Sequence, residues 1–189
     1  MQLEERIAAL RAEGDLAGAA TEAIRGMGPA ILRYLRSLLR EEDDAAEAFS
    51  RFAESLWRAL PAFRGESAFR TWAYRLAWSA ALDVRGGAFR RRGRRLETGE
   101  ASALAEEVRT RTAVVVERQR RALDRLREAL SVEDQSLLVL RVDQGLAWGE
   151  IAEILVGEGR PAAPDALMKR FERLKDKLAR MAREQGLLE

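Results

Sequence analysis

The sequence contains no cysteine and no histidine among its 189 residues. It therefore offers no disulfide, no cysteine–histidine zinc site, no thiol nucleophile and no histidine general base. Catalysis would have to depend on carboxylate, lysine or serine side chains. The clustered acids follow one another in a single helical turn, so they do not converge on a reacting atom. We predict a protein that is not an enzyme and that uses no metal and no other cofactor.

Long apolar runs are also missing. A membrane-spanning helix needs about 20 apolar residues, whereas residues 76–82 form one of the longest uncharged stretches of this chain. The first six residues contain Glu4 and Glu5 where a signal peptide would be basic, and no apolar segment follows them. These features predict a cytoplasmic protein with no membrane insertion.

Runs of β-branched residues are rare, whereas alanine, leucine, arginine and glutamate are abundant. This composition favours helices along almost the whole chain. We therefore predict an all-α fold with two small helical domains, residues 1–95 and 116–189, joined by a flexible linker at 96–115.

Caps and helix breakers predict where the helices of the first domain begin. The expected starts are Pro29 in a first turn, Asp43 or Asp44 as a cap, and Glu66 or Ser67 as a cap. Pro61 should end the second of these helices, because proline lacks the amide proton that a helix interior requires.

The second domain has the element order of a helix-turn-helix. Ser131 is predicted to cap a helix, Gly145 to end it in the left-handed conformation, and a short helix to follow at 148–155. The last helix should begin near Pro164 and bury an apolar stripe formed by Leu167, Phe171, Leu174 and Leu178. Most of its cations, namely Lys169, Arg170, Arg173, Lys175 and Lys177, lie off that stripe and could reach phosphates or base edges. An ordinary basic surface on a small helical bundle is the alternative.

The near-neutral balance of 33 basic and 31 acidic residues hides a strong segregation of charge. One arginine run contains no acid and comprises Arg85, Arg90, Arg91, Arg92, Arg94 and Arg95. It favours contact with nucleic acid, although a solvated connector would have the same composition. Conversely, Glu41 to Asp44 and Glu47 form an acidic cluster, which either complements a helix dipole or meets a basic partner.

Residues 63–77, with the sequence FRGESAFRTWAYRLA, resemble the promoter-melting segment of bacterial extracytoplasmic-function sigma factors. The acidic segment that begins at Glu42, followed by Leu56 to Leu60, resembles the helix with which that family binds core RNA polymerase. Asp134 to Leu140 and Gly145 to Leu155 resemble the start of its domain four. The resemblance spans roughly residues 15–95 and 116–185 and implies sigma domains two and four.

The resemblance implies a sigma factor that directs promoter-specific transcription initiation by recognising minus-10 and minus-35 elements and helping to melt the DNA. Its partners would be promoter DNA, core RNA polymerase through the β′ clamp helices and the β flap, and an anti-sigma factor. The polymerase-binding residues would be Asp44, Glu47 and Phe49.

The resemblance also implies the DNA contacts. The minus-10 residues would be Arg64, Gly65, Glu66, Ser67, Arg70, Trp72, Arg75 and Ser79. The arginine run would contact the DNA backbone. The minus-35 residues would be Asp165, Lys169, Arg170, Arg173 and Lys177.

The chain departs from the family pattern at three places. Ala46 stands where the family usually carries a glutamine, Ser79 stands where many members carry an asparagine, and the turn from Val156 to Pro164 is longer than usual. A stand-alone helix-turn-helix regulator is the alternative function.

Overall fold

A computed structural model describes residues 3–39, 41–86, 104, 130–155 and 163–184. The chain divides into two compact units, Met1–Val115 and Val116–Glu189, which are described separately. All regular secondary structure among the described residues is helical, which confirms the all-α class. The predicted linker, apart from Leu104, and the arginines from Arg90 to Arg95 lie outside the described residues, as does the turn at 156–162.

Four helices form the described part of the first unit. They are α1 (Leu3–Ala12), α2 (Leu16–Leu38), α3 (Glu42–Ala59) and α4 (Phe69–Arg85), with a 3₁₀ turn at Leu60–Ala62. Helices α2, α3 and α4 pack on one another, and α1 packs on α2. The aromatic core residues Tyr34, Phe49, Phe52 and Tyr74 are at most 1% exposed. This packing supplies most of the stabilisation, because buried apolar area is the largest favourable contribution to folding.

Helix α2 begins 13 residues before the predicted start at Pro29, which therefore lies inside the helix and not in its first turn. Asp15 caps the true N-terminus, where its side chain accepts a hydrogen bond from the Gly18 amide at 2.8 Å. The residue before Pro29 is Gly28, which has no Cβ to clash with the proline ring. The predicted start at Pro29 was wrong because the preceding glycine, Gly28, allows the helix to continue through the proline.

Helix α1 was not predicted from the sequence, and it packs closely on α2 at Gly26. A Cβ added to Gly26 would lie only 2.5 Å from the side chain of Leu3, so glycine permits the close approach of the two helices. Ile7 is buried, and Arg6 forms an ion pair with Glu22 of α2.

The starts of α3 and α4 also differ from the predicted caps. Helix α3 begins at Glu42, so Asp43 and Asp44 lie in its first turn, where negative charge is favourable. The N-cap position of α4 is Ala68, whose side chain makes no capping hydrogen bond, and not Glu66 or Ser67. The end of α3 before Pro61 is confirmed, since the helix stops at Ala59.

Three helices form the described part of the second unit. They are α5 (Val132–Leu138), which continues into a π turn at Val139–Asp143, α6 (Trp148–Ile154) and α7 (Pro164–Glu184). Three predictions are confirmed: Ser131 accepts a hydrogen bond from the Asp134 amide at 3.2 Å, Gly145 has a φ of 64°, and α7 begins at Pro164. In the described part of the chain, no helix combines the length and the apolar character that a membrane crossing requires.

The cap of α2 leads to a first testable prediction. Replacing Asp15 with Ala should lower the free energy of unfolding of the first unit by about 1 kcal/mol, because the Gly18 amide loses its acceptor. Asp15→Asn should retain most of the stability, since an amide oxygen can still accept the bond. Urea unfolding followed by tryptophan fluorescence measures the difference.

A matched control is available at the start of α3. Glu41 precedes that helix, but its side chain makes no capping hydrogen bond. Glu41→Ala should therefore cost only about 0.3 kcal/mol, through the loss of a charge near the helix dipole. Equal losses for Asp15→Ala and Glu41→Ala would contradict the assignment of Asp15 as the cap.

Candidate nucleic-acid interface

The loop at 63–68, between the 3₁₀ turn and α4, forms one wall of an open pocket of about 240 Å³. Five residues predicted to contact the minus-10 element line it, namely Arg64, Glu66, Ser67, Trp72 and Arg75. Ala62 and Phe63 complete the lining. The structure therefore brings together most of the predicted minus-10 set around one concave surface, which we call the loop pocket.

Two aromatic rings, those of Phe63 and Trp72, form the base of the loop pocket, and Phe69 packs against both from outside the lining. The ring centroid of Phe63 lies 4.8 Å from that of Trp72 and 5.4 Å from that of Phe69, and the centroids of Phe69 and Trp72 are 5.3 Å apart. Aromatic pairs at such distances stabilise one another beyond their burial alone. Trp72 is only 8% exposed, so it acts mainly as a packed support whose remaining surface faces the pocket.

Charged side chains surround this apolar base. The side chains of Arg64 and Glu66 are more than 80% exposed, and their charged groups are 4.0 Å apart, so their mutual attraction is largely screened by water. Arg75 is also exposed. The loop pocket thus combines aromatic surface with two guanidinium groups and with the acceptor groups of Glu66 and Ser67.

The shape of the loop depends on Gly65, whose φ is 75°. This left-handed conformation costs a residue with a Cβ roughly 1–2 kcal/mol. No atom lies within 4 Å of a Cβ added there, so a side chain would have space. Glycine is therefore favoured at this position because of its backbone conformation and not because of crowding. Gly65 therefore shapes the loop without lining the pocket.

The remaining predicted minus-10 residues lie at different positions on α4. Ser79 is exposed and follows Arg75 by one helical turn, so it extends the same helix face. Arg70 is half-buried on the opposite side of α4, and it does not line the loop pocket. Arg85 is exposed at the C-terminal end of the helix.

Two polar contacts from α1, which sequence reasoning missed, reach the loop. Arg11 donates a hydrogen bond to the backbone carbonyl of Phe63, and its guanidinium lies 5.0 Å from the centre of the Phe63 ring. Glu4 accepts a hydrogen bond from the backbone amide of Arg70 at 3.2 Å. No sequence signal indicates these contacts, because Arg11 is 52 residues from Phe63 and Glu4 is 66 residues from Arg70.

The acidic residues predicted to bind polymerase lie at the start of α3. Asp44 is exposed, and Glu47 forms an ion pair with Arg51 at 3.0 Å. Phe49 differs from its prediction, because its side chain is fully buried in the helix bundle. Its role is to hold α3 against the core, and the surface available to a partner consists of the acids.

The predicted minus-35 residues lie on α7, where Lys169, Arg173 and Lys177 follow one another every four residues along one face. Lys169 and Arg173 are exposed, and Asp165 lies in the first turn. Leu167 and Leu174 are buried on the opposite side, as the apolar stripe predicts. Phe171 is half-buried and packs on Trp148 of α6, with ring centroids 5.4 Å apart.

Arg170, which the resemblance assigns to the minus-35 element, is paired with residues at the start of α5 in this structure. Its Nε donates to the Asp134 carboxylate at 2.6 Å, and an amino group donates to the Ser131 hydroxyl at 3.2 Å. The guanidinium therefore links the second turn of α7 to the N-terminus of α5, which Ser131 caps. In this structure Arg170 is a structural link between helices, and Lys169 and Arg173 remain the exposed cations nearby.

Comparison with known protein families gives one finding. Residues 23–95 match the family described as Sigma-70 region 2. The match includes α3, the loop at 63–68 and α4, and it supports a role in promoter recognition and transcription initiation with RNA polymerase. Sigma factors are non-catalytic regulatory subunits. A search of the curated proteins finds no match.

The interhelical link can be tested by a double-mutant cycle of Arg170→Ala and Asp134→Ala. We expect a coupling free energy of about 0.5–1 kcal/mol in unfolding of the second unit, because the pair is partly buried and hydrogen-bonded. The exposed pair of Lys175 and Glu172, 2.7 Å apart on α7, is the matched control and should show coupling near zero. Equal coupling in the two cycles would mean that Arg170 is not a structural link.

Proposed function

We propose that this protein is a sigma factor of the extracytoplasmic-function group, which binds core RNA polymerase and directs it to promoters with specific minus-10 and minus-35 elements. The loop pocket is the observation that carries the proposal. It gathers Arg64, Glu66, Ser67, Trp72 and Arg75 within the segment that matches Sigma-70 region 2. Its aromatic base, its guanidinium groups and the acceptor groups of Glu66 and Ser67 offer the contacts that an unpaired base and its phosphates require.

The pocket would bind a base of the minus-10 element after that base leaves the DNA stack. Unstacking and unpairing cost a few kcal/mol, and contacts to the extruded base offset this cost. Aromatic stacking contributes roughly 1–3 kcal/mol per base, and Arg64 and Arg75 would neutralise adjacent phosphates. Promoter melting would then be favourable only where the sequence supplies a base that fits.

The exposed acids at the start of α3 would bind the β′ clamp helices of the polymerase. Glu42 already forms an ion pair with Arg36 of α2, which leaves Asp43 and Asp44 as the acids most accessible to a basic partner. Such charge complementarity accelerates association and excludes acidic surfaces. A function at the polymerase also places the protein in the cytoplasm, where an anti-sigma factor would compete for this surface.

The second unit would act as domain four and recognise the minus-35 element. Helices α6 and α7 would form the helix-turn-helix, with α7 in the major groove. Lys169 and Arg173 lie on one exposed face of α7 near its N-terminal half, which is the part of a recognition helix that contacts base edges. The arginine run would add sequence-independent contacts to the DNA backbone.

Run-off transcription with core polymerase and genomic DNA fragments tests the function directly. The purified protein should direct transcripts from defined start sites only when core polymerase is present. Arg75→Ala should reduce open-complex formation at those promoters roughly tenfold or more, because it removes a charge from the rim of the pocket. Arg33, an exposed arginine of α2, provides the control, and Arg33→Ala should leave promoter opening unchanged.

Two results would contradict the proposal. One is failure of the protein to bind core polymerase in the absence of any inhibitor. The other is tight and specific binding of duplex DNA by the protein alone with no effect of polymerase, which would favour the stand-alone regulator.

The basic face of α7 makes a separate prediction about salt. Lys169→Ala and Arg173→Ala should each lower the slope of log affinity against log salt concentration for minus-35 duplex DNA by about 1, if each residue neutralises one phosphate. Lys175→Ala is the control, because Lys175 pairs with Glu172 and lies 5.8 Å from the Phe171 ring, away from this face. An unchanged slope in both test variants would remove α7 from the DNA interface.

A further inference from the structure

Helix α1 lies before the segment that matches Sigma-70 region 2, which begins at residue 23, yet it contacts both ends of the loop at 63–68. Arg11 reaches Phe63 where the loop begins, and Glu4 reaches Arg70 just after it ends. The two residues are seven positions apart on α1, about two helical turns, so they share one helix face. One rigid element therefore holds both ends of the loop.

Arg11 fixes both the backbone and the ring of Phe63. Its guanidinium donates to the Phe63 carbonyl while lying over the ring, so the planar group uses a hydrogen bond and a cation–π contact together. Phe63 lines the loop pocket and packs on Trp72, which lines it as well. A displacement of the Phe63 ring would therefore alter the base of the pocket.

Glu4 acts at the start of α4, where the helix lacks a cap of its own. The capping position is Ala68, whose side chain cannot accept a hydrogen bond from the exposed amides of the first turn. Glu4 accepts from the Arg70 amide instead, and its negative charge is favourable at a helix N-terminus. The direction in which the loop enters α4 thus depends on a residue from another helix.

The position of α1 is itself fixed by α2. Ile7 is 1% exposed, Leu3 contacts the helix at Gly26, and Arg6 pairs with Glu22. Ile7 lies on the same face of α1 as Glu4 and Arg11, three and four residues from them, but none of the three attachments uses the side chain of Glu4 or of Arg11. The loop contacts can therefore be removed while α1 stays attached to the bundle.

We propose that Glu4 and Arg11 are positioning residues that hold the loop pocket in its base-binding shape and so set its selectivity for the extruded base. This inference rests on the proposed function of the pocket. The physical reason is preorganisation: an ordered loop loses less conformational entropy on binding than a mobile one. Without the two anchors, the loop would lose more conformational entropy when it binds the base, and its affinity for the base would fall.

The test measures binding of the protein–core polymerase complex to two single-stranded oligonucleotides. One carries the minus-10 sequence of a promoter identified by run-off transcription, and the other has an abasic site at the position of the extruded base. For Arg11→Ala and Glu4→Ala, the affinity ratio between the intact and the abasic strand should fall roughly 3–10-fold. Affinity for the abasic strand and for core polymerase should not change.

Matched controls come from the same segment. Arg6→Ala breaks an ion pair of α1 that does not touch the loop, and Glu13→Ala removes an exposed acid just after the helix. Both should retain the wild-type ratio. Arg11→Lys keeps the charge but loses the planar fork, so its ratio should lie between those of the wild type and Arg11→Ala. A variant that is merely less stable would bind both strands less well without a change in their ratio.

Wild-type ratios in both Arg11→Ala and Glu4→Ala would overturn the inference while leaving the proposed function intact. A wild-type protein that does not distinguish the two strands would instead contradict the proposed function, and the selectivity role of α1 with it. Hydrogen exchange of the protein without DNA tests whether the two anchors order the loop, independently of base binding. If the anchors hold the loop, amides 64–70 exchange faster in both variants than in Arg6→Ala and Glu13→Ala, whereas equal rates would show that α1 does not order the loop.

Discussion

The packing of Phe63 against Trp72 is the contact on which the candidate site depends. It joins the beginning of the loop at 63–68 to the second turn of α4, and Phe69 completes the cluster from the first turn. Because these rings are fixed by the helix bundle, the exposed groups of Arg64, Glu66 and Arg75 surround a defined apolar base. The base of the pocket is therefore held in place by aromatic packing that continues from the helix bundle to the surface. The charged and polar side chains at the rim determine what the pocket can bind.

The composition was sufficient to predict the class of the fold, and the resemblance of residues 63–77 to a promoter-melting segment implied most of the residues that line the pocket. Five of the eight predicted minus-10 residues line one pocket, since a short loop followed by a helix brings residues that are close in sequence close in space. The sequence was insufficient for α1 and for the first half of α2. Helix α1 buries only Ile7, which forms no periodic stripe by itself, and much of the buried face in the first half of α2 is alanine, at Ala19, Ala20 and Ala23, which gives a weak apolar signal.

The remaining differences arise from contacts between residues far apart in the chain. The spacing of charges on α7 gave no sign that Arg170 pairs with Asp134, 36 residues earlier. Phe49 follows the acids that are proposed to meet polymerase, yet its side chain points into the core. Ala68 begins α4 without a side-chain cap because Glu4 supplies the acceptor from another helix. Tertiary structure, and not local pattern, decides each of these cases.

The central claim is that the loop pocket receives one unpaired base of the minus-10 element, and photo-crosslinking tests it most directly. A photoreactive thymine analogue would be placed in turn at each position of the non-template strand in a promoter complex with core polymerase. The account predicts that one minus-10 position crosslinks to the peptide containing residues 62–75. Crosslinks confined to other parts of the protein at every position would contradict it.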